Sequence, residues 1–251
     1  AKYLLTSGST GQPKVVINTQ RMLCANQQML AQTLRFLATT KPVLLDWLPW
    51  SHTFGGNHNV NLVLRHGGTL YIDEGKPVPG AIDATLRNLQ DVQPTVHCNV
   101  PRGYEMMLPA LESDPALAAK FFSRLQMLFY AGSSMPQSIW ERLVRAAAQA
   151  RQQPLWLTTS WGSTETAPAN TFAHWQLDRA GVIGLPMPGV EVKFVPNGGK
   201  LEMRVRGPHI FPGYRDAPQA TLDAFDDEGF YGMGDAGHLM DDADPAQGIV
   251  F

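Results

Sequence analysis

The sequence predicts an α/β fold: a mostly parallel sheet flanked by helices over residues 1–176, followed by a smaller β-rich, barrel-like subdomain over 177–251. Three observations predict it. Short apolar runs alternate with segments whose apolar residues recur near the 3.6-residue helical period, the pattern of a parallel sheet with helical crossovers. Several of those runs end on turns of Gly, Ser and Thr, as strand ends do in such sheets. From Gly181 the texture changes to period two, with Val190-Glu191-Val192-Lys193-Phe194 and Leu201-Glu202-Met203-Arg204-Val205-Arg206 set around the hairpin turn Pro196-Asn197-Gly198-Gly199.

In chain order, Tyr3 to Leu5 reads as a strand running into Thr6-Ser7-Gly8-Ser9-Thr10-Gly11-Gln12-Pro13-Lys14. Gly8 and Gly11 allow positive φ, so successive N–H groups can face one anion; Thr6, Ser7, Ser9 and Thr10 add hydroxyl donors and Lys14 a positive charge. A Ser/Gly linker would neither begin on a strand nor end in Pro-Lys followed by Val15-Val16-Ile17. The Walker A spacing also fails, because Lys14 stands three residues beyond Gly11 and Val15 follows it. Asn18 or Thr19 is expected to cap a helix bearing Met22, Leu23, Met29, Leu30, Leu34 and Leu37, completing a strand-loop-helix unit.

Val43 to Pro49 reads as a buried strand leading to the loop Trp50-Ser51-His52-Thr53-Phe54-Gly55-Gly56, where position raises the functional weight of His52. His58, His66, His97, His174, His209 and His238 read as structural, since no pair has i,i+4 spacing with an intervening Glu. Further strands are expected at 67–72, 94–101, 125–130 and 155–160, with helices at 80–90, 104–111, 115–122 and up to Ala150. Ser134 and Gln137 are placed to form a capping box for that last helix, with Pro136 in its first turn. Its strand-to-helix turn, Ala131-Gly132-Ser133-Ser134, lies where α/β sheets take ligands.

Bulk properties limit the partners. With 251 residues, 44% of them hydrophobic, a sizeable core can be buried. The net charge is −2 and no Lys/Arg block exists, so nucleic acid is an unexpected partner. No apolar run approaches the ~18 residues of a membrane span, and no signal peptide is expected from the opening residues Ala1-Lys2-Tyr3. Cys24 and Cys98 lack the spacing of a disulfide scaffold or zinc site and fit a cytoplasmic protein. Asp241-Asp242-Ala243-Asp244 reads as a solvated turn, because Pro245 follows and the EF-hand glycine spacing is missing.

Thr6 to Lys14 resembles, nearly letter for letter, the Thr-Ser-Gly-Ser-Thr-Gly-x-Pro-Lys signature of the adenylate-forming enzymes, which include the acyl-CoA synthetases; Val15 replaces their usual glycine. Trp161-Gly162-Ser163-Thr164-Glu165 is similar to the family's Tyr-Gly-x-Thr-Glu, Trp161 standing for Tyr. Gly232-Met233-Gly234-Asp235 resembles its Thr-Gly-Asp, Met233 standing for Thr. His52 falls on a Pro-x-x-His pattern.

The resemblance implies ATP, Mg²⁺ and coenzyme A as small-molecule partners of a carboxylate. It assigns Thr6, Ser7, Gly8, Ser9, Thr10, Gly11, Lys14 and Thr164 to phosphates, and Glu165 to the metal, which favours hard oxygen ligands. Gly132, Ser133, Ser134, Trp161 and Gly162 would meet adenine, Asp235 the ribose hydroxyls, and His52, Phe54 and Gly55 the acyl pocket. The implied reaction is carboxylate attack on the ATP α-phosphate, giving acyl-AMP and pyrophosphate, then thiolysis by coenzyme A.

Val16 to Gln28 and Thr164 to Pro168 look like the feruloyl-CoA synthetase branch, implying a hydroxycinnamate substrate. Ligases for 4-coumarate, medium-chain or fatty acids would share the nucleotide motifs, and a non-catalytic nucleotide-binding module would share the loop. Both ends look cut inside strands. The resemblance then implies that roughly the first third of the large domain and the small C-terminal domain with its adenylation lysine are absent, and that the chain turns over poorly.

Overall fold

Strand β1 (Lys2–Leu5) pairs antiparallel with β2 (Val15–Asn18), Lys2 opposite Asn18 and Leu5 opposite Val15. The computed structural model describes residues 1–6 and 13–251, so the expected phosphate residues Ser7, Gly8, Ser9, Thr10 and Gly11 lie outside the described residues. Helix α1 (Gln20–Thr33) begins only after β2, capped by the Thr19 hydroxyl on the Met22 N–H at 3.2 Å. The strand-loop-helix expectation is therefore corrected to a hairpin followed by a helix: Val15-Val16-Ile17 is an apolar β-branched run that pairs back on β1.

The parallel part follows. Strand β3 (Val43–Asp46) leads into π-helical turns over Thr53–Asn59, then α2 (Val60–His66) and β4 (Thr69–Ile72), which pairs parallel with β3. Helix α3 (Ile82–Asp91), β5 (Val96–Asn99), α4 (Pro101–Ser113), α5 (Pro115–Ser123), β6 (Met127–Tyr130), α6 (Gln137–Ala150) and β7 (Leu157–Thr159) alternate, with β5-β6-β7 parallel. Thr95 joins the two parallel sheets: its N–H donates to Val43 O at 3.0 Å and its hydroxyl accepts the Val43 N–H at 2.8 Å.

Both faces of the central strand are covered, as parallel sheets require. Leu128 and Tyr130 of β6 pack with Leu108, Phe121 and Trp140 of the helices on one side. Met127 and Phe129 pack with Leu30, Leu62 and Phe172 on the other. Helix α6 starts without the Ser134 capping box, which corrects that expectation; Gln137 instead uses its side-chain oxygen to accept the Ala180 N–H at 3.0 Å.

The antiparallel part comprises β8 (Thr171–Phe172), β9 (Val182–Pro186), β10 (Glu191–Asn197), β11 (Lys200–Arg206), a short α7 (Pro218–Asp223), β12 (Tyr231–Ala236), β13 (His238–Leu239) and β14 (Ile249–Val250). One sheet runs β10-β11-β12 and the other β13-β14-β9-β8. Gly198 and Gly199, both at positive φ (56° and 80°), close the β10–β11 hairpin, as the Asn-Gly-Gly signal predicts. Val16, Met203, Val205, Phe211 and Tyr231 form a shared core, which ties β2 to this part.

Candidate active site

The parallel strands end on one side of the molecule, and beyond β3, β6 and β7 opens a cavity of about 630 Å³. Thr6 and Lys14 reach its wall from the hairpin, His52 and Phe54 from the segment after β3, and Gly132 from the turn after β6. Gly162, Thr164 and Glu165 line it after β7, and Asp235 closes it from β12. Ser133 and Ser134 are exposed beside Gly132 and off this wall, while Gly55 is buried behind it.

The charged end is built around Tyr214, a residue the sequence reading did not assign. Its hydroxyl donates to Glu165 Oε1 at 2.8 Å, and the Lys14 ammonium lies over its ring, 4.8 Å from the centroid. Burial and the adjacent Glu165 carboxylate push the Tyr214 hydroxyl well above the usual tyrosine range, so it remains a donor. The only sequence signal was the Phe-Pro-Gly-Tyr turn, which carries no chemistry by itself. Val16 bridges to Tyr214, and Arg215 N–H donates to Val15 O at 2.9 Å, so β2 and the Tyr214 loop are tied by backbone pairing.

A buried amide network sets the other walls. Asn18 donates to Thr164 O at 3.1 Å and accepts from Asn57 Nδ2 at 2.6 Å; Asn57 also donates to the Thr53 hydroxyl at 3.0 Å. Three wall segments are thus joined through side chains that are fully or almost fully buried. Such networks rigidify what they join when their donors are satisfied.

His52 caps the π-helical turns, its Nδ1 accepting the Phe54 N–H at 3.1 Å. An acceptor nitrogen is unprotonated, so the neutral ring carries its proton on Nε2, and burial lowers the pKa further. His52 is therefore a neutral donor. His58, read from sequence as structural, is fully buried and packs between Phe54 and Phe129 behind the cavity wall.

At the opposite end Trp161 does something other than stack in the open. Its indole N–H donates to Asp235 Oδ2 at 2.8 Å, while the ring is buried. Met233, where the family pattern has Thr, lines the cavity and its sulfur accepts from Asn170 Nδ2 at 3.2 Å; Asn170 Oδ1 pairs with His209 Nε2 at 2.8 Å. The Asp241–Asp244 segment is a turn held by Asp241 Oδ1 accepting the Ala243 N–H at 2.8 Å. Among the described residues no group of three or more His, Cys, Asp or Glu could hold a metal, and no helix is long and apolar enough to cross a membrane.

A family model described as AMP-binding enzyme matches residues 1–215. The chain is 29% identical to probable CoA ligase CCL8 of Humulus lupulus, across 96% of this chain and 41% of that protein. It is also 29% identical to a medium-chain fatty-acid–CoA ligase of Escherichia coli K12, across 94% of this chain and 40% of that one. Among solved structures it is similar, with TM-score 0.80 and 29% identity, to a malonyl-CoA ligase in a ternary product complex with methylmalonyl-CoA and AMP, covering 99% of this chain and 51% of that chain. The chain spans about two-fifths of the length of the curated relatives it matches.

Proposed function

The chain belongs to the AMP-binding enzyme family, and on that premise we propose that it supplies the nucleotide and acyl site of an ATP-dependent acid–thiol ligase. The observation that supports this reading is one cavity whose wall gathers Thr6, Lys14, His52, Thr164, Glu165 and Asp235 from both ends of the chain. An acceptor at one end, donors and a cation at the other, and an aromatic side wall match ribose, phosphate and acyl group in that order.

In the first step a carboxylate oxygen attacks the α-phosphorus of ATP and pyrophosphate leaves. In the second the thiol sulfur of coenzyme A attacks the acyl carbon and AMP leaves. Lys14, held over Tyr214, and the Thr164 hydroxyl offset the phosphate charge that develops, as preorganised groups do in phosphoryl chemistry. His52 offers Nε2–H to an oxygen of the reacting carboxylate or phosphate. Asp235, its Oδ2 held by Trp161, accepts from the ribose with Oδ1. Gly162 and Gly132 leave space for the base, with Ser133 and Ser134 at its rim.

The residues fit Mg²⁺. Glu165 uses one oxygen for Tyr214, and its other oxygen has no partner among the described residues; one carboxylate plus substrate phosphates is the usual magnesium set. When bound, the ion would neutralise phosphate charge. The hydroxyls of Ser7, Ser9 and Thr10 and the glycines Gly8 and Gly11 belong to the same proposal as phosphate ligands.

For the acyl group we propose a ferulate-like hydroxycinnamate. The runs Val16 to Gln28 and Thr164 to Pro168 support it, and so does the aromatic wall of Phe54, His58 and Phe129, which suits a planar ring. The relatives named for malonate and medium-chain fatty acids supply the rival substrates. ATP–pyrophosphate exchange on the full-length protein, driven by hydroxycinnamates, octanoate or malonate, tests both levels. Exchange with hydroxycinnamates is the expected result; exchange with octanoate or malonate alone overturns the acyl assignment, and none with any acid overturns the ligase reading.

A further inference from the structure

Lys14 and Glu165 carry opposite charges and line one cavity, yet among the described residues neither forms an ion pair. Both can be reached from that cavity: Lys14 is exposed, and Glu165 keeps 6% of its surface open. Tyr214 meets each of them through a different part of its side chain. Its hydroxyl donates to Glu165 Oε1 at 2.8 Å, and the Lys14 ammonium lies over the face of its ring, 4.8 Å from the centroid.

The phenol is fixed by its own neighbours. Tyr214 N–H donates to the Thr221 hydroxyl at 2.9 Å, the backbone bridges to Val16, and the ring packs edge-on against Phe211 at 4.8 Å. Phe211 N–H donates to Glu165 O at 2.9 Å, so residues 211 to 214 hold both the backbone and the carboxylate of Glu165. A direct Lys14–Glu165 contact would be stronger here than in open water, and each charge would then offset the other instead of a ligand. The phenol holds both without that loss: a hydroxyl donor leaves the carboxylate negative, and a ring face leaves the ammonium positive.

We propose that Tyr214 is a positioning residue that keeps Lys14 and Glu165 from pairing with each other, so that the ammonium stays available to substrate phosphate and the carboxylate to Mg²⁺. The inference rests on the ligase reading and deepens it. Tyr214 acts through the two charged residues and carries out no chemistry itself.

Thermal denaturation of the full-length protein tests this, with ATP plus EDTA and with ATP plus Mg²⁺. The rise in Tm with metal-free ATP reads Lys14, and the further rise with Mg²⁺ reads Glu165. Both rises are expected in the unmodified protein. Tyr214→Phe keeps the ring and deletes the donor, so the ATP rise should persist while the Mg²⁺ rise falls to about half or less, the effect of tenfold weaker binding at about 100 times Kd. Tyr214→Leu removes donor and ring together, and both rises should fall. Adding Glu165→Gln to Tyr214→Leu releases the lysine and should restore the ATP rise, a recovery that a merely structural role would not produce. The proposal is overturned if Tyr214→Leu keeps both rises, or if Glu165→Gln restores none of the lost ATP rise. Should Tyr214→Leu fail to fold, Tyr214→Phe decides, an undiminished Mg²⁺ rise counting against the proposal. If ATP shifts the unmodified protein neither with nor without Mg²⁺, the nucleotide reading falls and this inference with it, whereas equal rises in every variant remove only the role of Tyr214.

Discussion

At the scale of single residues, exchanges that look conservative in sequence turn out to change partners. Trp161 in place of the family's Tyr reads as an aromatic lacking a hydroxyl; in the fold its indole N–H donates to Asp235. Trp161→Phe keeps the ring and deletes that donor. A hydrogen bond to a charged group contributes roughly 1.5–3 kcal/mol, so KM for ATP is expected to rise about tenfold or more with kcat little changed. Steady-state kinetics checks this, and an unchanged KM for ATP would remove the positioning role of Trp161.

A second residue-scale expectation concerns pH. Burial depresses His58, His97 and His209 to about 4, so their contribution is whole above about 6.5 and is lost as pH falls toward 4. Asp46 runs the other way: burial raises it to about 6, so its contribution is present at low pH and lost as pH rises through 6. Between about pH 4 and 6 these four groups take up three imidazole protons and release one carboxyl proton on unfolding. The net two protons correspond to ~2.7 kcal/mol of stability lost per pH unit on acidification. Urea titrations across that range measure the slope, and His58→Phe should reduce it by about one proton, ~1.4 kcal/mol per unit.

At the scale of elements, the parallel strands and their helices were legible because periodicity and Gly/Pro punctuation agree there. The segment after β3 was not. Gly55 and Gly56 read as loop residues, whereas they lie inside π-helical turns, an arrangement with no periodic signature. Their lack of a side chain has a packing cause: a Cβ on Gly55 would stand 2.5 Å from Pro49 O and 2.6 Å from Leu48 O, and backbone cannot recede as a side chain can. Gly55→Ala is therefore expected to lower stability by roughly 2 kcal/mol or more, read as a drop in the denaturation midpoint. Since His52 caps the same turns, ATP–pyrophosphate exchange should fall as well; a variant of full stability would refute this packing account. Likewise Ser134 and Gln137 had the spacing of a cap, but the Gln137 side chain is drawn to Ala180, more than forty residues away, which no local pattern reveals.

At the scale of the whole molecule, the cavity wall crosses the boundary that texture suggests near residue 176. Tyr214 holds Glu165, Asp235 is held by Trp161, and Phe211 N–H donates to Glu165 O at 2.9 Å. Sequence could assign motifs to each part but not these cross-links, because their partners stand 46 to 74 residues apart. The chain spans about two-fifths of the length of its curated relatives.

Binding itself should nonetheless couple both parts. A non-hydrolysable acyl-AMP analogue at 100 times its Kd stabilises the state that binds it by ~2.7 kcal/mol, which for a chain of this size is a rise in Tm of about 5–10 °C. Because the ligand would touch the Lys14 hairpin and Asp235 together, one transition should move as a unit. Asp235→Ala should largely abolish the shift, although the residue is far in sequence from the phosphate motif. Two transitions, with only the one belonging to residues 1–176 responding to the analogue, would mean that the β-rich part folds beside the site without completing it.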